Sequence, residues 1–257
     1  MSMFLATTLG RETRVDRRIG NDTRTMSRWL VAATIVVGAI AVGNAAPDAD
    51  RPLDSFPSLE QPLKQYRAYR RMHARSEHFN QEAWLEAWTE MDERGFRYNI
   101  VSESGSDYIR GKVLKAVLKR EQELVADGDC QRSELTPENY EFEEASPGNG
   151  ERYVTIKPKR KDVLLVDGRM VLSADSGELL RVEGRLAKNP SFWTSLVNVI
   201  RHYARVDGIR VPIATESTAK VKFAGISYLD VHYDYETING RPVSRAARRM
   251  LPPVTMR

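Results

Sequence analysis

Long alternating runs in the carboxyl-terminal half constrain this chain most. Val211 to Phe223 sets Ile213, Thr215, Ser217, Ala219 and Val221 against Glu216, Thr218, Lys220 and Lys222. Ile226 to Ile238 sets Leu229, Val231, Tyr233 and Tyr235 against Tyr228, Asp230, His232, Asp234 and Glu236. Ser195 to Val206 sets Leu196, Asn198, Ile200, His202, Ala204 and Val206 against Val197, Val199, Arg201, Tyr203 and Arg205. A period of two marks a half-buried strand. Asp207-Gly208 and Asn239-Gly240 supply residues that tolerate the positive φ of a tight hairpin turn. Strands of about 12 residues would span roughly 40 Å, well beyond the usual five or six residues. A sequential meander of that length twists and coils into a barrel or half-barrel. Its concave apolar face must then be covered by helices, a second sheet or a ligand.

The preceding residues extend the same pattern. Val163 to Val166 and Arg169 to Ser173 flank Asp167-Gly168, which reads as one more hairpin turn. Ala174 to Gly177 is a second turn, Glu178 to Leu186 alternates, and Asn189-Pro190 breaks the run. Tyr140 to Glu144 and Arg152 to Lys157 read as a hairpin around Ser146 to Gly150, followed by the basic loop Lys157 to Lys161. Tyr66 to Phe79 fits alternation through Tyr66, Ala68, Met72 and Ala74, although its arginines also permit a helix. In Ala83 to Met91, Trp84, Trp88 and Met91 fit a helical stripe and Leu85, Ala87, Thr89 and Met91 fit a strand; Phe96 to Val101 at hairpin spacing favours strand. Between them and the later strands lies one clear amphipathic helix, Tyr108 to about Val125, with Ile109, Val113, Ala116, Val117 and Leu124 on one face. Ser102 to Asp107 supplies its capping side chains, and Asp127-Gly128 ends it.

The fold class expected is therefore α+β and mainly β: a long curled antiparallel half-barrel covered on its concave side by one or two helices. One domain is expected over residues 63–240, after a leader (1–45) and a Pro- and Asp-rich linker (46–62), with a basic flexible tail at 241–257. Within the leader, Arg28 precedes an apolar core, Trp29 to Val42, and the small residues Gly43-Asn44-Ala45. That layout is a signal peptide over 26–45, too short for a comfortable membrane span; an uncleaved anchor is the competing reading. The expected location is periplasmic or otherwise exported. The single cysteine, Cys130, excludes an internal disulfide framework and reads as a loop thiol.

Charge argues against nucleic acid. The chain carries a net +4, but Met1 to Ala45 holds Arg11, Arg14, Arg17, Arg18, Arg24 and Arg28 against Glu12, Asp16 and Asp22. The remainder is near neutral. Motif chemistry is also lacking: no G-x-S-x-G elbow, H-E-x-x-H, P-loop or G-x-G-x-x-G occurs. Asp230-x-His232-x-Asp234 offers metal-ligand types, but alternate residues on a strand stand about 7 Å apart, and a solvated outer face is the expectation. No metal, cofactor or catalytic residue is assigned, and the chain is expected not to be an enzyme. Phe192, Trp193, Tyr203, Tyr233 and Tyr235, with Ile213, Leu229 and Val231, are the candidates to line a site for an apolar ligand. Core packing is the alternative for the same aromatics.

The strings GRMVLSADSGELLRVEG, RHYARVDGIRVPIATES and VHYDYETING, with the export signal and one covering helix, resemble the periplasmic lipoprotein-carrier and sorting superfamily of half-barrels (LolA/LolB/RseB-like). The resemblance spans about residues 60–240. It implies a concavity that binds acyl chains, with a lipid or lipoprotein acyl chain as partner, an envelope protein as a second partner and peripheral membrane contact. Relatives act as carriers, lipid receptors or stress sensors. Three functions follow as expectations: a lipid-holding carrier, a scaffold or stress-sensor module with a filled core, and a hydrolase whose site would need His202, His232 and Asp230 to converge.

Overall fold

The computed structural model describes residues 62–144, 150–192, 194–222, 225–244 and 247. The expected leader, the linker save Pro62, the tip of the Ser146 loop, Trp193 and most of the basic tail lie outside them. The strands are β1 (Tyr66–Ser76), β2 (Gln81–Asp92), β3 (Gly95–Gly105), β4 (Tyr140–Glu144), β5 (Glu151–Pro158), β6 (Val166–Ser173), β7 (Leu179–Leu186), β8 (Thr194–Val206), β9 (Ile209–Val221), β10 (Gly225–Ile238) and β11 (Arg241–Pro242). They form an 11-stranded antiparallel open sheet in the order β3-β2-β1-β10-β9-β8-β7-β6-β5-β4, with β11 beside β10. Pairing of β1 with β10 is the one long-range join, and it sets the amino-terminal hairpins beside the last long strand.

A single continuous helix, α1, covers part of one face. It runs through an α turn (Asp107–Ile109), a π stretch (Arg110–Leu114) and an α segment (Lys115–Ala126). Ile109, Val113, Leu114, Val117, Leu118 and Leu124 of α1 bury themselves against Ala68, Met72, Leu85, Val211, Ile213 and Val231 of the sheet. A second apolar cluster, carried by β4 to β9, gathers Ile156, Met170, Leu172, Val182, Val197 and Val199 around Leu165.

Three local readings of the sequence are corrected. Asp167-Gly168 is not a turn. Both residues lie inside β6, where Gly168 faces Gly184 of β7. Ser102 to Gly105 belong to β3, and Ser106 stands at the start of α1 without capping it; its hydroxyl donates to Gln81 Oε1 instead. The strict alternation of β8 breaks at a register shift between His202 and Tyr203, so that Val197, Val199 and Arg201 are buried before it and Val206 after it. By contrast Asp207 (φ 47°) and Gly208 (φ 85°) form the expected hairpin turn between β8 and β9. The ordered chain also continues past Gly240: Val243 is buried, and the Ser244 amide and hydroxyl donate to the Asp207 carboxylate.

Candidate functional site

The concave face presents two environments, and each is organised by an arginine. The first lies beneath α1. Arg70 occupies the inward slot of β1 between Ala68 and Met72, and only 1% of it is exposed. Its partner is Glu121, on the inner face of α1 one turn from Val117. Arg70 donates to both Glu121 oxygens, at 2.5 and 2.8 Å, and to the Tyr66 hydroxyl at 2.7 Å. The guanidinium lies 5.0 Å from the Phe96 ring centroid and 4.7 Å from that of Tyr233. Burial works against the Arg70 charge, but Glu121, Tyr66 and Tyr233 outweigh it and hold the group well above its ordinary range. The helix is thus fastened to the sheet by a two-pronged ion pair inside an apolar layer.

The second environment lies past the helix. A cavity of about 30 Å³ is lined by Ser133, Glu134 and Leu135 after α1, by Tyr140, Leu164 and Val166, and by Val182, Val199, Arg201 and Tyr203 of the sheet. This is about the room one small group needs. The Tyr140 hydroxyl accepts from the Val166 amide at 3.0 Å. Burial pushes the Tyr140 phenol up to about 12, against the lowering effect of that amide and of the Arg201 charge. Burial, and then Glu138, raise the Glu134 carboxyl above its ordinary value.

No family model matches this chain. No curated protein matches it either. Among solved structures it is similar to the crystal structure of a DUF1329 family protein from Desulfovibrio piger ATCC 29098, with 10% sequence identity and a TM-score of 0.33, over 67% of this chain and 84% of that one.

The structure brings five of the eight candidate lining residues together: Ile213, Leu229, Val231, Tyr233 and Tyr235 are all buried in the cluster under α1. Tyr203 stands apart from them on the cavity wall. Phe192 is 79% exposed in the loop before β8, with the Lys222 ammonium 4.3 Å from its ring centroid. Trp193 lies outside the described residues. Sequence reasoning passed over Arg70, Glu121 and Arg201, although each left a signal. Arg70 fills the one inward slot missing from the Tyr66, Ala68, Met72, Ala74 series. Glu121 falls on the Val117–Leu124 stripe of the helix. Arg201 shares a strand face with Val197 and Val199.

The opposite, convex face also departs from expectation. Asp230 and His232 were expected to be solvated, yet both are buried. Ladder partners pack beside them: His73 and Glu216 flank Asp230, while Arg71 and Ala214 flank His232. His202 adjoins Ala214 from the far side and contacts Glu216 at 3.0 Å. Among the described residues no group of three or more His, Cys, Asp or Glu is placed to hold a metal ion. Burial lowers the His232 pKa, with Arg71 and His202 adding to the effect and Glu216 opposing it. A histidine depressed in the folded state binds its proton better when unfolded. Its contribution is therefore present above the unfolded value of about 6.5 and is lost as pH falls below it. Thermal melts from pH 7 to pH 5 should show a decline in Tm that His232→Gln makes shallower; parallel declines would remove His232 as the cause.

Proposed function

We propose that this protein is an exported, non-enzymatic periplasmic binding protein that holds an apolar, lipid-like or lipoprotein acyl ligand on the concave side of its sheet, as a carrier does. The observation that supports this reading is the cavity beside α1. It lies past the end of α1, between the segment Ser133–Leu135 and the sheet, and Leu135, Leu164, Val166, Val182 and Val199 give it apolar walls. At about 30 Å³ it admits a head or a chain end, so a whole acyl chain would enter by displacing the cover. The resemblance of the strand strings to the lipoprotein-carrier and sorting half-barrels points the same way.

Native mass spectrometry of the protein purified from its own envelope should find bound lipid, and the delipidated protein should take up a fluorescent fatty acid. Val199→Phe, which fills the cavity, should weaken that uptake by about tenfold or more, since a ring in the site excludes the ligand outright. A lipid-free mass with no uptake rejects the proposal.

One observation favours a second reading, a scaffold or stress-sensor module. Ile213, Leu229, Val231, Tyr233 and Tyr235 already have the side chains of α1 packed on them, as in a filled core. That reading expects no lipid and a protein partner in pull-downs.

A further inference from the structure

Arg201 is 92% buried by its 8% exposure, and it makes no hydrogen bond or ion pair with any other residue among those described. This is unlike Arg70, whose charge is met by Glu121 of α1. A guanidinium buried this far without a counter-charge is costly, because its desolvation is not offset. Beside Arg201 in the ladder are Val182 on β7 and Thr215 on β9. The buried Thr215 hydroxyl sits near the Tyr233 phenol without completing a hydrogen bond of normal geometry. Two polar groups thus remain unanswered on one row of the concave face, at the edge of the cavity that Arg201 lines. Glu134 lies in the same wall but forms no ion pair with Arg201, and burial favours its neutral form.

We propose that Arg201 receives the carboxylate of an amphipathic ligand, and that the ligand class is a long-chain monocarboxylic acid with its chain along the apolar wall. The inference rests on the binding function proposed above and sharpens it. A planar fork of N–H donors matches a carboxylate in two-pronged fashion. The cavity has room for a group of that size, whereas a glycerophosphate head is far larger. One cation without a partner calls for one negative charge.

The test compares dodecanoate, dodecanol and acetate on the full chain by calorimetric titration. Dodecanoate should bind about tenfold to a hundredfold more tightly than dodecanol, the range expected for a hydrogen-bonded charge pair. Arg201→Met should erase that difference by weakening dodecanoate while leaving dodecanol unchanged, and Arg201→Lys should restore part of it. Because Arg201→Met removes an unmatched buried charge, the unliganded variant should melt no lower than the wild type. A lower Tm would identify a structural arginine and overturn the proposal. Equal binding of acid and alcohol in both proteins would overturn the carboxylate site while leaving the lipid-holding function intact. If neither chain binds, the function itself fails and the inference with it. Acetate binding as tightly as dodecanoate would overturn the chain-bearing ligand, leaving a site for a free anion.

Discussion

Glu121→Leu should destabilise the protein by about 3–5 kcal/mol, the penalty for leaving one member of a buried ion pair without the other. Both side chains are nearly inaccessible, at 1% and 3%, so water cannot replace the lost carboxylate. The residue left behind, Arg70, would keep only the Tyr66 hydroxyl as acceptor, and its charge would lie against the Phe96 and Tyr233 rings. Ring faces attract a cation by about 0.5–2 kcal/mol, too little to replace a carboxylate. The double variant Arg70→Met, Glu121→Leu removes both charges from a site already walled by Val117, Phe96 and Tyr233, and it should recover most of the loss. Urea unfolding of the wild type, both single variants and the double variant completes the cycle. If the double variant falls as far as the sum of the singles, the two residues are not coupled and the fastening of α1 must lie elsewhere. Hydrogen exchange offers a second view. Amides of Lys115–Ala126 should lose protection in Glu121→Leu before those of β8 and β9 do, because the pair joins the helix to the sheet and not strand to strand.

How far the sequence discloses this architecture depends on what kind of signal each residue leaves. The faces of β9 and β10 were legible because Ile213 to Val221 and Leu229 to Tyr235 repeat every second residue, and no competing structure has that period. The covering helix was legible for the same reason at another period. Arg70 and Glu121 were hidden because each interrupts an apolar stripe, and an interruption looks the same whether the charge is paired inside or turned out to water. Only the contact between a strand and a helix 51 positions later resolves it. Arg201 was hidden by geometry. Two opposite faces of β8 carry apolar residues in the sequence, and the shift between His202 and Tyr203 decides which ones look inward at each end. A bulge leaves almost no local mark. Asp167-Gly168 misled for a different reason: Asp-Gly is favoured in turns for its tolerance of positive φ, whereas here glycine is needed for closeness.

That closeness gives the second large expectation. Gly184→Ala should cost about 3 kcal/mol or more, at the upper end of what overpacking costs. Gly168 and Gly184 face one another across β6 and β7, and neither has a positive φ. A Cβ on Gly184 would lie 2.4 Å from the Asp167 carbonyl oxygen, and one on Gly168 would lie 2.2 Å from the Glu183 carbonyl oxygen. The obstacle is backbone in both cases, so no side-chain rotation relieves it and the strands must separate. Gly111→Ala is the control, because nothing lies within 4 Å of its Cβ; it should leave stability unchanged or improve it by up to about 1 kcal/mol, the usual gain for Gly→Ala in a helix. A Gly184→Ala protein as stable as the wild type would mean that β6 and β7 do not approach so closely. The nearest rungs on the same face of that ladder are Val166–Leu186 and Met170–Val182, and Val166 and Val182 both line the cavity. Separation of the strands at the glycine rung must therefore move both residues. The variant should lose dodecanoate affinity along with stability, whereas Gly111→Ala should lose neither.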